Sequence, residues 1–188
     1  MPEQHQDVNT QTGFHRLLFT GTLAETTGVF TAIHLTKRLH ALDSQIGLTI
    51  IGYAAQQECQ QRLKREAEMN TFIKLIGVDK HVPHDQIVKE ISRADFGFIC
   101  YPDNGSTRGR IPTKFLEYAA LGLRILATPN SALDAKIKEL GIGLVIQEAE
   151  AETGWLQKML EIKLPNTSKN EFLWEKEAKA LSQVIKSL

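Results

Sequence analysis

The chain has 188 residues, of which 42% are hydrophobic and 23% charged, a composition typical of one soluble globular domain with a substantial core. Lysine plus arginine and aspartate plus glutamate both number 22, so no global basic field indicates nucleic acid binding. The sequence lacks a run of ~18 apolar residues, which a membrane helix needs, and a signal peptide. Two distant cysteines, Cys59 and Cys100, favour a reduced, cytoplasmic protein over a disulfide scaffold.

The first segment, residues 1–14, is polar and rich in Gln and Thr. We interpret it as a mobile leader or the remainder of a linker. Residues 15–188 are predicted to form a single domain.

Short apolar runs alternate with helical segments along that domain. Strands are predicted at 15–20, 48–51, 72–76, 96–100, 125–127 and 144–146. Helices are predicted at 29–42, 54–68, 85–92, 112–121, 131–140, 153–160 and 169–188. Because the strands are short and apolar without alternation, they favour a parallel sheet with helices on both faces. The prediction is a Rossmann-like, doubly wound α/β fold of about six strands.

Such sheets bind ligands beyond the carboxyl ends of their strands, where the strand order reverses. Gly21, Gly52, Gly77 and the loop 102–110 each follow a predicted strand. We therefore expect them to gather at one edge and form one pocket, with Thr22 beside Gly21. The G-x-G-x-x-G spacing of a dinucleotide site is absent.

The segment from Pro112 to Gly122 reads as a helix with a phosphate site at its start. Proline suits the first helical turn, and glycine suits a left-handed cap at the end. Thr113 lies among the free N–H groups of the first turn, and the cations Arg108, Arg110 and Lys114 surround it. Free amides, the helix dipole and cations together favour a bound phosphate.

Glu117 lies about one turn further along this helix. A carboxylate there can accept two hydrogen bonds from neighbouring hydroxyls, such as those of a ribose. A solvated glutamate on an exposed face is the competing interpretation, as solvated surface charge is for Arg108 and Arg110. The histidines show no metal-ligand spacing, and spacing alone assembles no catalytic set. No metal and no cofactor are expected, and the catalytic residues stay unassigned.

Four stretches together resemble the C-terminal domain of group-1 retaining glycosyltransferases of the GT-B fold. The similarity covers about 17–188, and the stretch 112–122, followed by 125–128, matches the donor-binding signature most specifically. The other stretches are 18–23 with Gly28-Val29 and its helix, 49–52, and 93–99.

The resemblance implies a nucleotide-sugar donor whose sugar is transferred with retained configuration, in a pathway such as polysaccharide or glycoconjugate synthesis. It implies that Glu117 holds the ribose and that amides around Thr113 receive the diphosphate. The base is expected near the loops after Gly52 and Gly77. An N-terminal acceptor-binding domain is expected to be missing, so that this chain alone is inactive. Peripheral association of the full enzyme with a membrane stays open.

Three positions depart from the family pattern. Gly109 stands where many members have a glutamate that touches the donor sugar. Thr22 and Thr27 stand where many members have phosphate-binding cations, so Arg108, Arg110 or Lys114 would have to supply the charge. Two alternatives therefore stay open: a degenerate, non-catalytic interaction module of the same fold, and a nucleotide-sugar epimerase-like domain.

Overall fold

Six parallel strands form one sheet in the computed structural model, which describes residues 15–147 and 152–162. The strands are β1 (Arg16–Thr22), β2 (Gly47–Tyr53), β3 (Ile73–Val78), β4 (Phe96–Ile99), β5 (Arg124–Ala127) and β6 (Gly143–Val145). Their order in the sheet is β3-β2-β1-β4-β5-β6. The predicted Rossmann-like fold class is confirmed.

The helices follow the strands along the chain. They are α1 (Val29–Leu42), α2 (Gln57–Met69), α3 (His84–Arg93), α4 (Thr113–Ala120), α5 (Ser131–Leu140) and α6 (Glu152–Glu161), with a 3-10 turn at Glu25–Thr27. The helix predicted from residue 54 begins later because the Ala54 N–H bonds to the Val78 carbonyl at 2.8 Å. The predicted leader 1–14 and helix 169–188 lie outside the described residues.

Two hydrophobic clusters cover the two faces of the sheet. On one face, which we call the α1 face, residues of α1, α2 and α6 pack with Leu17 and Phe19 of β1. On the other, the α4 face, residues of α3, α4 and α5 pack with Leu18. This alternation along β1 is what a strand buried on both faces requires. No helix within the described ranges is long and apolar enough to cross a membrane.

The strand order reverses between β1 and β4. These two strands pair only at Leu17–Phe96 and Leu18–Gly97, whereas β1 and β2 stay paired to the end at Thr22–Tyr53. The gap beyond Gly97 is the crevice where sheets of this kind bind ligands. We refer to it as the β1–β4 crevice.

A row of glycines crosses three strands at one level. Gly21 pairs with Gly52, and Gly52 pairs with Gly77, with φ angles of 97°, 155° and 85°. A side chain at Gly52 would overlap the Gly21 carbonyl oxygen. The expectation that these glycines follow their strands is corrected, since each is the penultimate residue of a strand whose pairing continues past it.

Candidate functional site

Helix α4 begins beside the β1–β4 crevice and carries three of the predicted donor-binding residues, Thr113, Lys114 and Glu117. Pro112 precedes its first residue, Thr113, which is exposed. At the other end, Gly122 adopts φ 72°, and the Leu123 N–H bonds to the Tyr118 carbonyl at 2.8 Å. This is a Schellman cap, so glycine ends the helix as predicted.

Tyr118 ties α4 to the end of β1. Its hydroxyl accepts the Thr20 N–H at 3.2 Å and lies 3.0 Å from the Thr20 hydroxyl. Gly97 makes room for the ring, because a side chain there would collide with it. Burial of the phenol raises the pKa of Tyr118. Sequence reasoning missed this contact, and the glycine at position 97 was the signal that could have indicated it.

Lys114, one of the cations predicted to surround the helix start, has a buried side chain. The residue is only 6% exposed, and its Nζ lies 4.0 Å from the centroid of the Phe19 ring and 5.2 Å from that of Tyr101. Within the described residues this amine has no hydrogen-bond partner. Burial lowers the pKa of Lys114 to about 8.

Glu117 is partly exposed at the edge of the β1–β4 crevice. Over the described part of the chain its carboxylate has neither a hydrogen bond nor an ion pair. Its charge raises the pKa of Lys114, against the larger effect of burial. A carboxylate without a partner at the edge of the crevice is available to hydroxyl donors of a ligand.

Two predicted cations, Arg108 and Arg110, lie exposed on the loop before α4. Arg108 is engaged by Asp103, whose Oδ1 lies 3.1 Å from the arginine Nε. Gly109, between them, adopts φ 77°, a conformation that a glutamate adopts only with strain. The glutamate that the resemblance expects here would therefore need a different loop backbone.

Three predicted donor-binding residues, Gly21, Thr22 and Gly52, line one pocket of about 230 Å³. Its other lining residues are Tyr53, His81, Val82 and Ile87. The Tyr53 and His81 rings stack at 4.3 Å between centroids. Sequence reasoning missed this pair, because the two residues meet only through the pairing of β2 with β3.

A larger cleft of about 490 Å³ opens beside the start of α1, and we call it the α1 cleft. Gly28 and Thr31 at the start of α1 line it, opposite Cys100 and Tyr101 after β4. The remaining lining residues are Glu25, Thr26, Pro102, Thr128 and Pro129. The Thr27 side chain bonds within its own loop, where its hydroxyl donates to the carbonyls of Thr22 and Ala24.

Within residues 15–147 and 152–162, no group of three or more His, Cys, Asp or Glu side chains could hold a metal ion. Both cysteines are free and buried, and burial raises the pKa of the Cys100 thiol to about 12. The expectation that no metal takes part stays a prediction.

The family model described as "Glycosyl transferases group 1" matches residues 1–184. The chain therefore belongs to the group-1 glycosyltransferase family, and the resemblance predicted from the sequence is confirmed. No curated protein matches the chain.

Solved structures of glycosyltransferases share the fold. AviGT4, involved in avilamycin A biosynthesis, has 15% identity and a TM-score of 0.63 over 84% of this chain and 44% of its own. Pneumococcal GtfA, an O-GlcNAc transferase solved with UDP and GlcNAc, has 13% identity and a TM-score of 0.61 over 91% of this chain and 35% of its own.

A third relative is the C-terminal domain of the group-1 protein LpcC from Francisella tularensis. It has 16% identity and a TM-score of 0.57, over 78% of this chain and 75% of that domain. The present chain thus spans less than half of AviGT4 and GtfA, but three quarters of a relative that is itself a single domain.

Proposed function

We propose that the chain binds the nucleotide-sugar donor of a retaining glycosyltransferase. The observation that carries this proposal is Glu117, a carboxylate that no described residue engages, on the helix that starts at the β1–β4 crevice. In a group-1 family member, its expected role is to accept hydrogen bonds from both ribose hydroxyls of the donor.

The rest of the donor is assigned by position around Glu117. The base fits the pocket beside the glycine row, where Tyr53 and His81 offer ring faces for stacking. The diphosphate lies at the start of α4, where the amides near Thr113 and the charge of Arg110 favour an anion. These groups would stabilise the nucleoside diphosphate as it leaves the sugar.

The acceptor site and the remainder of the catalytic machinery are expected outside this chain. Because the chain spans 44% of AviGT4, we propose that it works with a further acceptor-binding domain. A role in polysaccharide or glycoconjugate synthesis, and a cytoplasmic location, stay predictions from the resemblance and the composition.

A second candidate is a module that kept the fold and lost the donor. The hydroxyl of Thr27 is used within its own loop, and the backbone at Gly109 disfavours a glutamate. The observation at Gly109 weakens the sugar end of the site, and the observation at Thr27 weakens its phosphate end. The epimerase-like alternative draws no support from the family match.

Calorimetry with UDP, GDP and ADP separates these candidates. We expect one of the three to bind the 188-residue chain, and Glu117→Ala to weaken that binding by ~1–3 kcal/mol, the usual cost of losing a charged hydrogen-bond partner. Removing the ribose hydroxyls from the ligand should weaken binding to the unmodified chain but not to Glu117→Ala.

Glu68→Ala is the matched control, because Glu68 is exposed on α2, which packs on the opposite face of the sheet. It should bind the nucleotide as the unmodified chain does. Absence of binding by all three diphosphates would favour the degenerate module. Binding that Glu117→Ala leaves unchanged would remove Glu117 from the site.

A further inference from the structure

A hydrogen-bonded contact joins helix α4 to β1 across the β1–β4 crevice. Tyr118 of α4 and Thr20 of β1 lie 98 residues apart in the chain, and the Tyr118 hydroxyl meets both the N–H and the hydroxyl of Thr20. Both residues are buried. Because burial raises the pKa of Tyr118, the phenol keeps its proton near neutral pH. We call this pair of hydrogen bonds the clasp.

The rest of α4 is held to the sheet by apolar packing. Phe115 and Ala119 pack with Ile99 of β4 and Ile125 of β5 in the cluster of the α4 face. Apolar packing is non-directional, whereas a hydrogen bond requires a narrow range of distance and angle. The clasp is therefore a directional contact that sets the rotation of this eight-residue helix against β1.

Glu117 is the neighbour of Tyr118 on α4, so a rotation of the helix moves both side chains together. A side-chain tip lies ~5–6 Å from the axis of a helix, and a rotation of about 10° displaces it by about 1 Å. A binding group has to be held within about 0.5 Å of its productive position. The position of the Glu117 carboxylate therefore depends on the clasp, although Tyr118 is fully buried and lines neither the pocket beside the glycine row nor the α1 cleft.

The clasp also joins the two sides of the proposed donor site. Thr20 directly precedes Gly21 and Thr22, which line the pocket proposed for the base, while Glu117 stands on the helix across the crevice. The pairing of β1 with β4 ends below this level, at Leu18–Gly97. The distance between the base pocket and the carboxylate is thus set by a side-chain contact where strand pairing has stopped.

We propose that Tyr118 is a positioning residue for the ribose of the donor. Through Thr20 it holds the Glu117 carboxylate at the distance from the glycine row at which both ribose hydroxyls are within reach. This inference rests on the proposed function, because it concerns the same site. The competing interpretation is a buried hydroxyl that contributes to the stability of the fold alone.

Calorimetry on the 188-residue chain tests the proposal with the diphosphate that binds, whether UDP, GDP or ADP, and with its dideoxyribose analogue. The ratio of the two affinities, which we call the ribose ratio, should be at least about tenfold in the unmodified chain, as hydrogen bonds to a charged group allow. Tyr118→Phe should lower the ribose ratio at least about threefold, since a displaced carboxylate makes weaker hydrogen bonds. The affinity for the dideoxyribose analogue should stay unchanged.

A double variant separates positioning from stability. Tyr118→Phe should weaken diphosphate binding in the unmodified chain but not in Glu117→Ala, because the clasp acts through the Glu117 carboxylate. A hydroxyl that serves stability alone would weaken the binding equally in both backgrounds, or in neither, and either result would contradict the proposal.

Thr36→Val is the matched control. It removes another buried hydroxyl, which donates to the Ala32 carbonyl at 2.7 Å within α1, on the opposite face of the sheet. It should lower stability without changing the ribose ratio. Thr20→Ser keeps both groups that meet Tyr118 and should keep the ratio, whereas Thr20→Val removes the hydroxyl and should lower it.

A ribose ratio that Tyr118→Phe leaves intact, while Glu117→Ala abolishes it, would overturn this inference and leave the proposed function standing. Failure of all three diphosphates to bind the unmodified chain would overturn both. Should Tyr118→Phe fail to fold, Thr20→Val and Thr20→Ser decide, because equal ribose ratios in those two variants would refute the positioning role.

Discussion

Two side chains on successive turns of α4, Lys114 and Tyr118, both end in the β1–β4 crevice. They do different things there. The Tyr118 hydroxyl accepts a hydrogen bond from the Thr20 N–H, which has no partner on β4 because the pairing of β1 with β4 ends at Leu18–Gly97. Lys114 brings a buried amine that has no hydrogen-bond partner among the described residues. The two side chains therefore differ in the unliganded chain, since the Tyr118 hydroxyl is hydrogen-bonded and the Lys114 amine is not.

At this scale Tyr118→Phe is informative, because it removes the hydroxyl and little else. Thr20 is 1% exposed, so its N–H would be left buried without a partner, which costs about 1–3 kcal/mol. The free energy of unfolding from urea titration should fall by that amount. Tyr101→Phe is the control, since no hydrogen bond of the Tyr101 hydroxyl is present in the described structure. An equal loss in both variants would show that the Thr20 contact has no special role.

At the scale of elements, local signals place helices better than strand ends. The bounds of α1 and α5 follow from apolar spacing and from the residues that flank them, Gly28 and Gly141 among others. The ends of β1, β2 and β3 cannot be predicted in this way, because a glycine usually marks a turn. Here each glycine is paired within its strand, and only the neighbouring strand reveals that.

The same limit explains which parts of the site could be predicted. Glu117 and the helix start belong to one contiguous stretch, so the sequence brings them together. The path of Lys114 depends on a gap between β1 and β4, and the Tyr53–His81 contact depends on the register of β2 and β3. Both are properties of the assembled sheet.

The glycine row gives a prediction about an element. Gly52→Ala would press a methyl group onto the Gly21 carbonyl oxygen, so the backbone must move. The free energy of unfolding should therefore fall by more than about 2 kcal/mol. Gly141→Ala, at a helix end with φ 64° and open space around it, should cost only about 1 kcal/mol. Thermal or urea unfolding measures both. Similar losses in the two variants would contradict the close packing of the row.

The whole molecule corresponds to part of its larger relatives, 44% of AviGT4 and 35% of GtfA. We assign none of its described residues to the chemical step. We therefore expect the 188-residue chain to bind a nucleotide-sugar without transferring its sugar. Incubation with several labelled nucleotide-sugars and simple acceptors, followed by chromatography, measures this. Transferred sugar above the level of a Glu117→Ala control would contradict the expectation.

The glycine row also limits how this protein can diversify. A ligand in the pocket lined by Gly21 and Gly52 meets peptide groups, whose chemistry no substitution alters, and the crowding at Gly52 excludes larger residues there. Evolution of a new preference would have to act on the rim, through residues such as Tyr53, His81 and Val82. The floor of the pocket is thus inherited with the fold, while its selectivity can vary among descendants.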